Sequence, residues 1–325
     1  MHYVYDLFCI LVFPGLIFLS IFGVIAEFID RKLYARMQNR MGPPWFQPVA
    51  DFIKLLAKEE LIPEEADARM FKVLPVFAVA AVVTAFLYIP LWNTTSLYSF
   101  NGDIIVVLYL LTLPTLTFFL AGWYSTSLYA TIGAVRTLTQ LFAYEVPLFM
   151  GILCPAILAD SWSLEAIAKF YSEHPWYTLF NLLGFVVSII AVQGKLERIP
   201  FDIPEAETEI VGGTFTEYSG KLLALFRMAI DIELIVCAAL LAAVFLPFGL
   251  SMAPITIAGL DIEPAVSFLI FLVKILAIIF VMSLIRSIFA RLRIDQMIDF
   301  CWKYLAPAAL VQILISFILK GILIR

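Results

Sequence analysis

Five carboxylates, Glu197, Asp202, Glu205, Glu207 and Glu209, share a short stretch of this 325-residue chain with a single arginine, Arg198. Acids at that density can hold and pass protons, because neighbouring negative charges raise one another's pKa. Pro204 suits a first helical position and acids in a first turn complement the helix dipole, which accounts for two of the acids but not all five. A helix beginning near Asp202 places Asp202, Glu205 and Glu209 on one face at i, i+3 and i+7, where repulsion raises at least one pKa. Perturbed acids mark functional sites and also structural ion-pair networks, and both readings stay open here.

A second set of charges interrupts apolar sequence: Arg136, Glu145, Arg227, Asp231, Glu233, Lys274 and Arg286. Each costs about 3 kcal/mol near a bilayer centre on insertion scales, so each needs a reason to be there. Glu145 lies nine residues beyond Arg136, roughly 13 Å deeper along a helix, too far to reach the surface, and is the leading intramembrane proton site. Arg227 and Asp231 stand one turn apart and either pair with each other or serve the pathway, with Glu233 and Lys274 as deeper candidates. Arg286, near a helix end, reads as an anchor.

The remaining residue types narrow the chemistry. Cys9, Cys154, Cys237 and Cys301 fall in four separate apolar stretches with no CxxC pair, so the spacing for an iron–sulfur or zinc site is missing. His2 and His174 both lie outside the apolar stretches, which leaves no histidine ligands for a haem within the membrane. No P-loop or GxSxG nucleophile motif occurs. Electrons, if they move in this system, are expected on another subunit.

The elements that must position these residues are membrane helices. The chain is 63% apolar and 14% charged, against about half and a quarter for a globular domain, and its net charge of −5 gives no basis for nucleic-acid binding. A hydrocarbon core about 30 Å thick needs roughly 20 apolar residues in helix. Eight stretches qualify, approximately 4–28, 72–92, 104–124, 130–158, 176–195, 222–249, 265–290 and 303–323, giving an all-α polytopic protein with one membrane domain over 1–325. The first is expected to remain as a helix rather than be cleaved, since Met1 to Asp6 holds no lysine or arginine. Lysine and arginine concentrate in 29–71 and recur near 195–221 and 291–303, which predicts those loops on the cytoplasmic side and both termini outside, with Lys320 and Arg325 as mild exceptions. Within 29–71, Val49, Phe52, Ile53 and Leu56 repeat at helical spacing while Asp51, Lys54 and Lys58 take the opposite face. The stripe predicts an amphipathic helix lying on membrane lipid or packed on another subunit. There is no internal repeat of the kind that builds duplicated transporters.

Four segments stand out: Asp30-Arg31-Lys32 through Arg40-Met41-Gly42-Pro43 with Gln47 to Leu55; Gly133 to Arg136 with Gln140 and Ala143-Tyr144-Glu145; Arg198-Ile199-Pro200-Phe201-Asp202 through Gly220; and Arg293-Ile294-Asp295-Gln296-Met297 with Trp302-Lys303 and Pro307. Together they resemble one family, the NADH dehydrogenase subunit 1 family of respiratory complex I with its counterparts in energy-converting membrane-bound nickel–iron hydrogenases. The stretch from Arg40 to Pro48 is shorter than the respiratory pattern and resembles the hydrogenase branch. Three positions depart from the family: Asp30 replaces a glutamate, Lys195 replaces the glutamate before the loop arginine, and Ile230 stands at a glutamate position with Asp231 beside it, about 100° further round the helix. Glu197 is then either a displaced equivalent or an ion-pair partner of Arg198.

The resemblance implies a membrane subunit that docks a peripheral redox module and opens a path of buried charges toward antiporter-like membrane subunits. No cofactor is expected in this chain, with iron–sulfur clusters and a nickel–iron site in the peripheral hydrogenase-like partners. The ion pathway is expected through Glu145, Asp202, Glu205, Glu207, Glu209, Glu197, Asp231, Glu233 and Lys274. Docking or charge pairing falls to Asp30, Arg31, Arg36, Arg40, Asp51, Lys54, Arg136, Arg198, Arg293 and Asp295. The alternatives are a quinone-chamber subunit, a stand-alone secondary transporter and a passive anchor.

Overall fold

Backbone polar groups in hydrocarbon must be satisfied within their own segment, which makes apolar runs of this length helical. The computed structural model describes residues 2–92, 94–246, 256–257, 260–261 and 263–323. Eight helical segments among them are long and apolar enough to cross a membrane. The elements are α1 (His2–Leu11), α2 (Leu16–Met37), α3 (Gln47–Ala57), α4 (Ala68–Phe86), α5 (Asp103–Tyr124), α6 (Leu128–Ala159), α7 (Leu164–Glu173), α8 (Leu182–Lys195), α9 (Glu207–Ile210), α10 (Gly220–Phe245), α11 (Glu263–Ile288), α12 (Ile294–Phe300) and α13 (Ala306–Leu323). A two-residue antiparallel pair, Thr256–Ile257 with Leu260–Asp261, precedes α11.

The first predicted span differs from the expectation in two ways. It is broken between α1 and α2, where Pro14 offers no backbone N–H, and α2 then continues to Met37. The loop expected to start at residue 29 therefore starts at 38, and Glu27, Asp30 and Arg31 belong to a membrane helix. At the other end of the same loop, Asp67 caps α4 by accepting hydrogen bonds from the N–H groups of Arg69 (2.9 Å) and Met70 (3.3 Å).

The helices are unequally buried, and that ranks them. In α10 78% of the most apolar stretch is covered by the rest of the chain, against 33% in α11 and 28% in the segment containing α12 and α13. Thus α10 is the axial helix, packed by α2, α3, α4 and α11, while α11 and α13 present broad apolar faces outward. On the opposite side, α6 packs against α5, α8 and α13.

Segment 196–219 folds back over one end of this bundle, here called the loop end. Gln140 of α6 donates to the carbonyls of Gly194 (2.7 Å) and Phe201 (2.9 Å), and Gln193 donates to Ile199 O (2.8 Å). Gly213 has φ +55°, and a Cβ there would lie 1.8 Å from Pro204 O. A Cβ on Gly133 of α6 would lie 2.6 Å from Thr214 N, so two glycines allow helix and loop to close on each other. Gly213→Ala is expected to cost on the order of 1–3 kcal/mol or more through overpacking, read as a lower Tm of the detergent-solubilised protein.

Candidate functional site: a charge-lined cavity at the loop end

The loop acids do not form the helical face that their spacing suggests. Residues 202–206 are irregular, Glu207–Ile210 is helical, and three of the acids each take their own distant arginine. Asp202 pairs with Arg291 (2.5 Å), Glu205 with Arg227 (3.3 Å) and Glu209 with Arg136 (2.6 Å). The reason is electrostatic: three carboxylates fastened to three helix-borne or helix-flanking cations avoid the mutual repulsion that a shared face would impose. Arg227 therefore does not pair with Asp231. The side chain of Glu207 lies outside the described residues.

A larger network runs beneath the loop. Asp30 is fully buried, and its Oδ2 lies 2.7 Å from both Arg198 and Arg286 while Oδ1 accepts from Ser283 Oγ (2.5 Å). Arg198 also reaches Glu27 (3.3 Å), Glu27 pairs with Arg31 (2.5 Å), and Arg31 reaches Asp51 on α3 (3.1 Å). Three acids and three arginines thus alternate from α11 through the loop and α2 to α3. Arg286 is a structural partner in this chain of charges, correcting its reading as an anchor, and its guanidinium also covers the Tyr34 ring at 4.5 Å. Burial disfavours the charge on Arg198, but Asp30 and Glu27 outweigh it and hold its pKa above the ordinary arginine value.

Glu27, Arg31, Asp51, Arg198 and Arg286 of this network line a cavity of about 450 Å³. Its wall takes Ser20, Glu27 and Arg31 from α2, Pro48, Asp51, Phe52 and Leu55 from α3, Lys195 to Ile199 with Asp202 and Glu205 from the loop, and Arg227, Met228, Ile230, Asp231 and Glu233 from α10. The amphipathic helix is divided differently from its sequence stripe: Phe52 and Asp51 both face the cavity, while Val49, Ile53 and Leu56 are exposed on the outer side. The helix is too close to the bundle to keep a single apolar face, because α2 and α10 form the surface against which it packs. Ile230 and Asp231 both line the cavity, so the shift of the acid by one position leaves it on the same chamber. Gly23 on α2 makes room for it, with a Cβ there only 3.3 Å from Asp231 Cβ.

Among the described residues two cavity acids, Glu197 and Asp231, have no ion pair. Glu197 Oε1 is buried without a hydrogen-bond partner. Burial, followed by the nearby charges of Glu205, Glu233 and Asp202, raises the Glu197 pKa well above the usual carboxylate value, against the pull of Lys195. At the cavity floor Lys195 Nζ lies 2.9 Å from Glu233, both side chains 1% exposed, and it also donates to Leu111 O. The departure at position 195 is thus balanced within the chain, by a partner that local sequence could not supply.

Other expected site residues lie apart. Glu145 is half-buried on α6 away from the cavity, beside Tyr144, whose hydroxyl is 3.1 Å from Thr115 Oγ1. Lys274 is half-buried in the middle of α11. Arg36, Arg40, Lys54, Arg293 and Asp295 are exposed at the loop end, whereas Asp30 is enclosed and faces no partner surface.

The arrangement belongs to a known family. The family model described as NADH dehydrogenase matches residues 10–317. The H-type subunit of NADH-quinone oxidoreductase from Carboxydothermus hydrogenoformans is 33% identical over 312 residues, covering 93% of this chain and 85% of that protein. NADH-quinone oxidoreductase subunit 8 of Thermus thermophilus is 35% identical over 316 residues, covering 92% and 84%. A chain from the structure of the membrane-bound sulfane sulfur reductase, an archaeal respiratory membrane complex, superposes with a TM-score of 0.80 at 28% identity, covering 92% of this chain and 96% of that one. The chain belongs to the NADH dehydrogenase subunit 1 family and is a multi-pass membrane subunit of a respiratory oxidoreductase complex.

Asp30→Ala leaves Arg198 and Arg286 without their shared counter-charge and is expected to destabilise by about 3–5 kcal/mol, seen as a lower Tm and loss of folded protein in detergent. Glu197 has a raised folded-state pKa, so its contribution to stability is complete below the ordinary carboxylate range and is lost as pH rises through the raised value. Glu197→Gln should therefore gain stability relative to the parent across that window and show a flatter Tm against pH.

Proposed function

We propose that this chain couples electron transfer in a docked peripheral module to ion transport, with the loop-end cavity as the place where redox state changes protonation. The observation that carries this reading is a chamber walled by alternating charges in which Glu197 and Asp231 are left without ion pairs. A carboxyl group whose burial and acidic neighbours favour the protonated form is suited to take up and release a proton, and the acids around it titrate as a coupled set. Protonation of Glu197 alters the field on the Lys195–Glu233 pair at the floor, and Tyr144 and Glu145 lie beyond Lys195, whose Nζ is 5.9 Å from the Tyr144 ring. The path then continues into antiporter-like membrane subunits. The exposed charges Arg36, Arg40, Lys54, Arg293 and Asp295 dock the iron–sulfur and hydrogenase-like subunits, which puts the loop end on the cytoplasmic side and both termini outside.

A quinone chamber is the rival reading, since the relatives named above are NADH-quinone oxidoreductase subunits. Chemistry of the wall weighs against it here: 13 of the 23 lining residues are Asp, Glu, Lys or Arg, whereas pockets for small apolar ligands are mostly apolar. The short Arg40 to Pro48 stretch supports the same choice of branch.

The complex reconstituted in vesicles tests the reading. Glu197→Gln is expected to assemble and to transfer electrons while ion transport per electron falls at least about tenfold. Glu145→Gln is expected to do the same. Unchanged transport in both would remove these residues from the pathway, and quinone-analogue reduction by the purified complex would favour the rival.

A further inference from the structure

Five cationic side chains of the membrane-spanning helices have counter-charges: Arg136 with Glu209, Lys195 with Glu233, Arg227 with Glu205, Arg286 with Asp30, and Lys320 with Asp160. Lys274 does not, and among the described residues it has no ion pair or hydrogen bond. Its position makes that costly. It lies 11 residues from Glu263 and 14 from Ile288, about 16 and 21 Å from the two ends of α11, so near the midplane and beyond the reach of a lysine stem to either surface. The seam that α11 buries against α2 and α10 runs through Phe271, Ile275, Ile278, Ile279 and Met282. Lys274 sits roughly a quarter-turn round from that seam, on the flank where Ala277 and Val281 are exposed. The ammonium is therefore aimed along a boundary, one side covered by this chain and the other open.

We propose that this flank of α11 is an interface for a membrane helix of another subunit that carries an Asp or Glu at the bilayer midplane. Charge complementarity selects that occupant over lipid: acyl chains offer no counter-charge, and headgroup phosphates lie at the ends of the helix rather than beside its middle. A helix with a single carboxylate at matching depth neutralises Lys274 and at the same time covers Ala277 and Val281. The proposal is independent of the coupling role, since an interface of this kind serves a passive anchor as well as a pump.

The test uses the intact complex purified from native membranes and a membrane-permeant carbodiimide. The reagent activates a carboxylate, the Lys274 amine displaces it to form an amide, and the carbodiimide leaves as its urea, having taken up the elements of water. The expected product, identified by mass spectrometry, joins Lys274 to an Asp or Glu within an apolar span of a different membrane subunit, and it is absent from Lys274→Gln. In parallel, Lys274→Glu is expected to lower the yield of intact complex at least about tenfold, and a lysine in place of the linked carboxylate is expected to restore it. Lys274→Met controls for folding, because it keeps the helix apolar and should leave the thermal stability of this subunit unchanged. An amide to this chain or to a second copy of it, no amide at all, or full assembly of Lys274→Glu would each overturn the interface.

Discussion

Asp30 organises the loop end. A fully buried carboxylate is tolerated only when its charge is answered, and here two arginines and a serine answer it. Arg198 comes from the loop, Arg286 and Ser283 from α11, and Asp30 itself from α2, so one side chain fixes the position of a loop relative to two membrane helices. The loop acids can then take their own partners because Arg198 is already committed. The cavity exists where this network leaves space between α2, α3, α10 and the loop, and it is charged because the network is its wall.

The departures from the family pattern make physical sense as a set. Lysine at 195 would be an unanswered buried cation, and Glu233 lies close enough to neutralise it. Asp231 stands one position along from the usual glutamate and still faces the chamber, helped by the missing side chain at Gly23. The chain thus has a chamber whose wall includes the acids Glu197 and Asp231. Replacement of individual charges is compatible with such a chamber as long as most buried charges retain an opposite one.

Membrane helices, loop acids and family can be read directly from the sequence, because apolar runs of helical length and a dense run of carboxylates are local signals. Partners are another matter. Glu209 meets Arg136 across 73 residues, Asp202 meets Arg291 across 89, and Asp30 meets Arg198 and Arg286 across 168 and 256. No periodicity of a single helix encodes contacts at those separations. That is why the local pairing of Arg227 with Asp231 fails, and why Arg286 reads as an anchor until its partner on α2 is seen. Glu197 is hard to rank for the same reason, since its surroundings come from the loop and α10 together. The break at Pro14 is legible in principle but masked by a strongly apolar run.

Coupling through this chain requires a cavity carboxylate that changes its protonation when the attached redox module changes state. Infrared difference spectroscopy of the intact complex, reduced minus oxidised, reads protonated carboxyl groups directly through their C=O stretch. A carboxyl band that appears or disappears with reduction and is lost in Glu197→Gln is the result expected. A difference spectrum without any such band, or one that Glu197→Gln leaves unchanged, would contradict it.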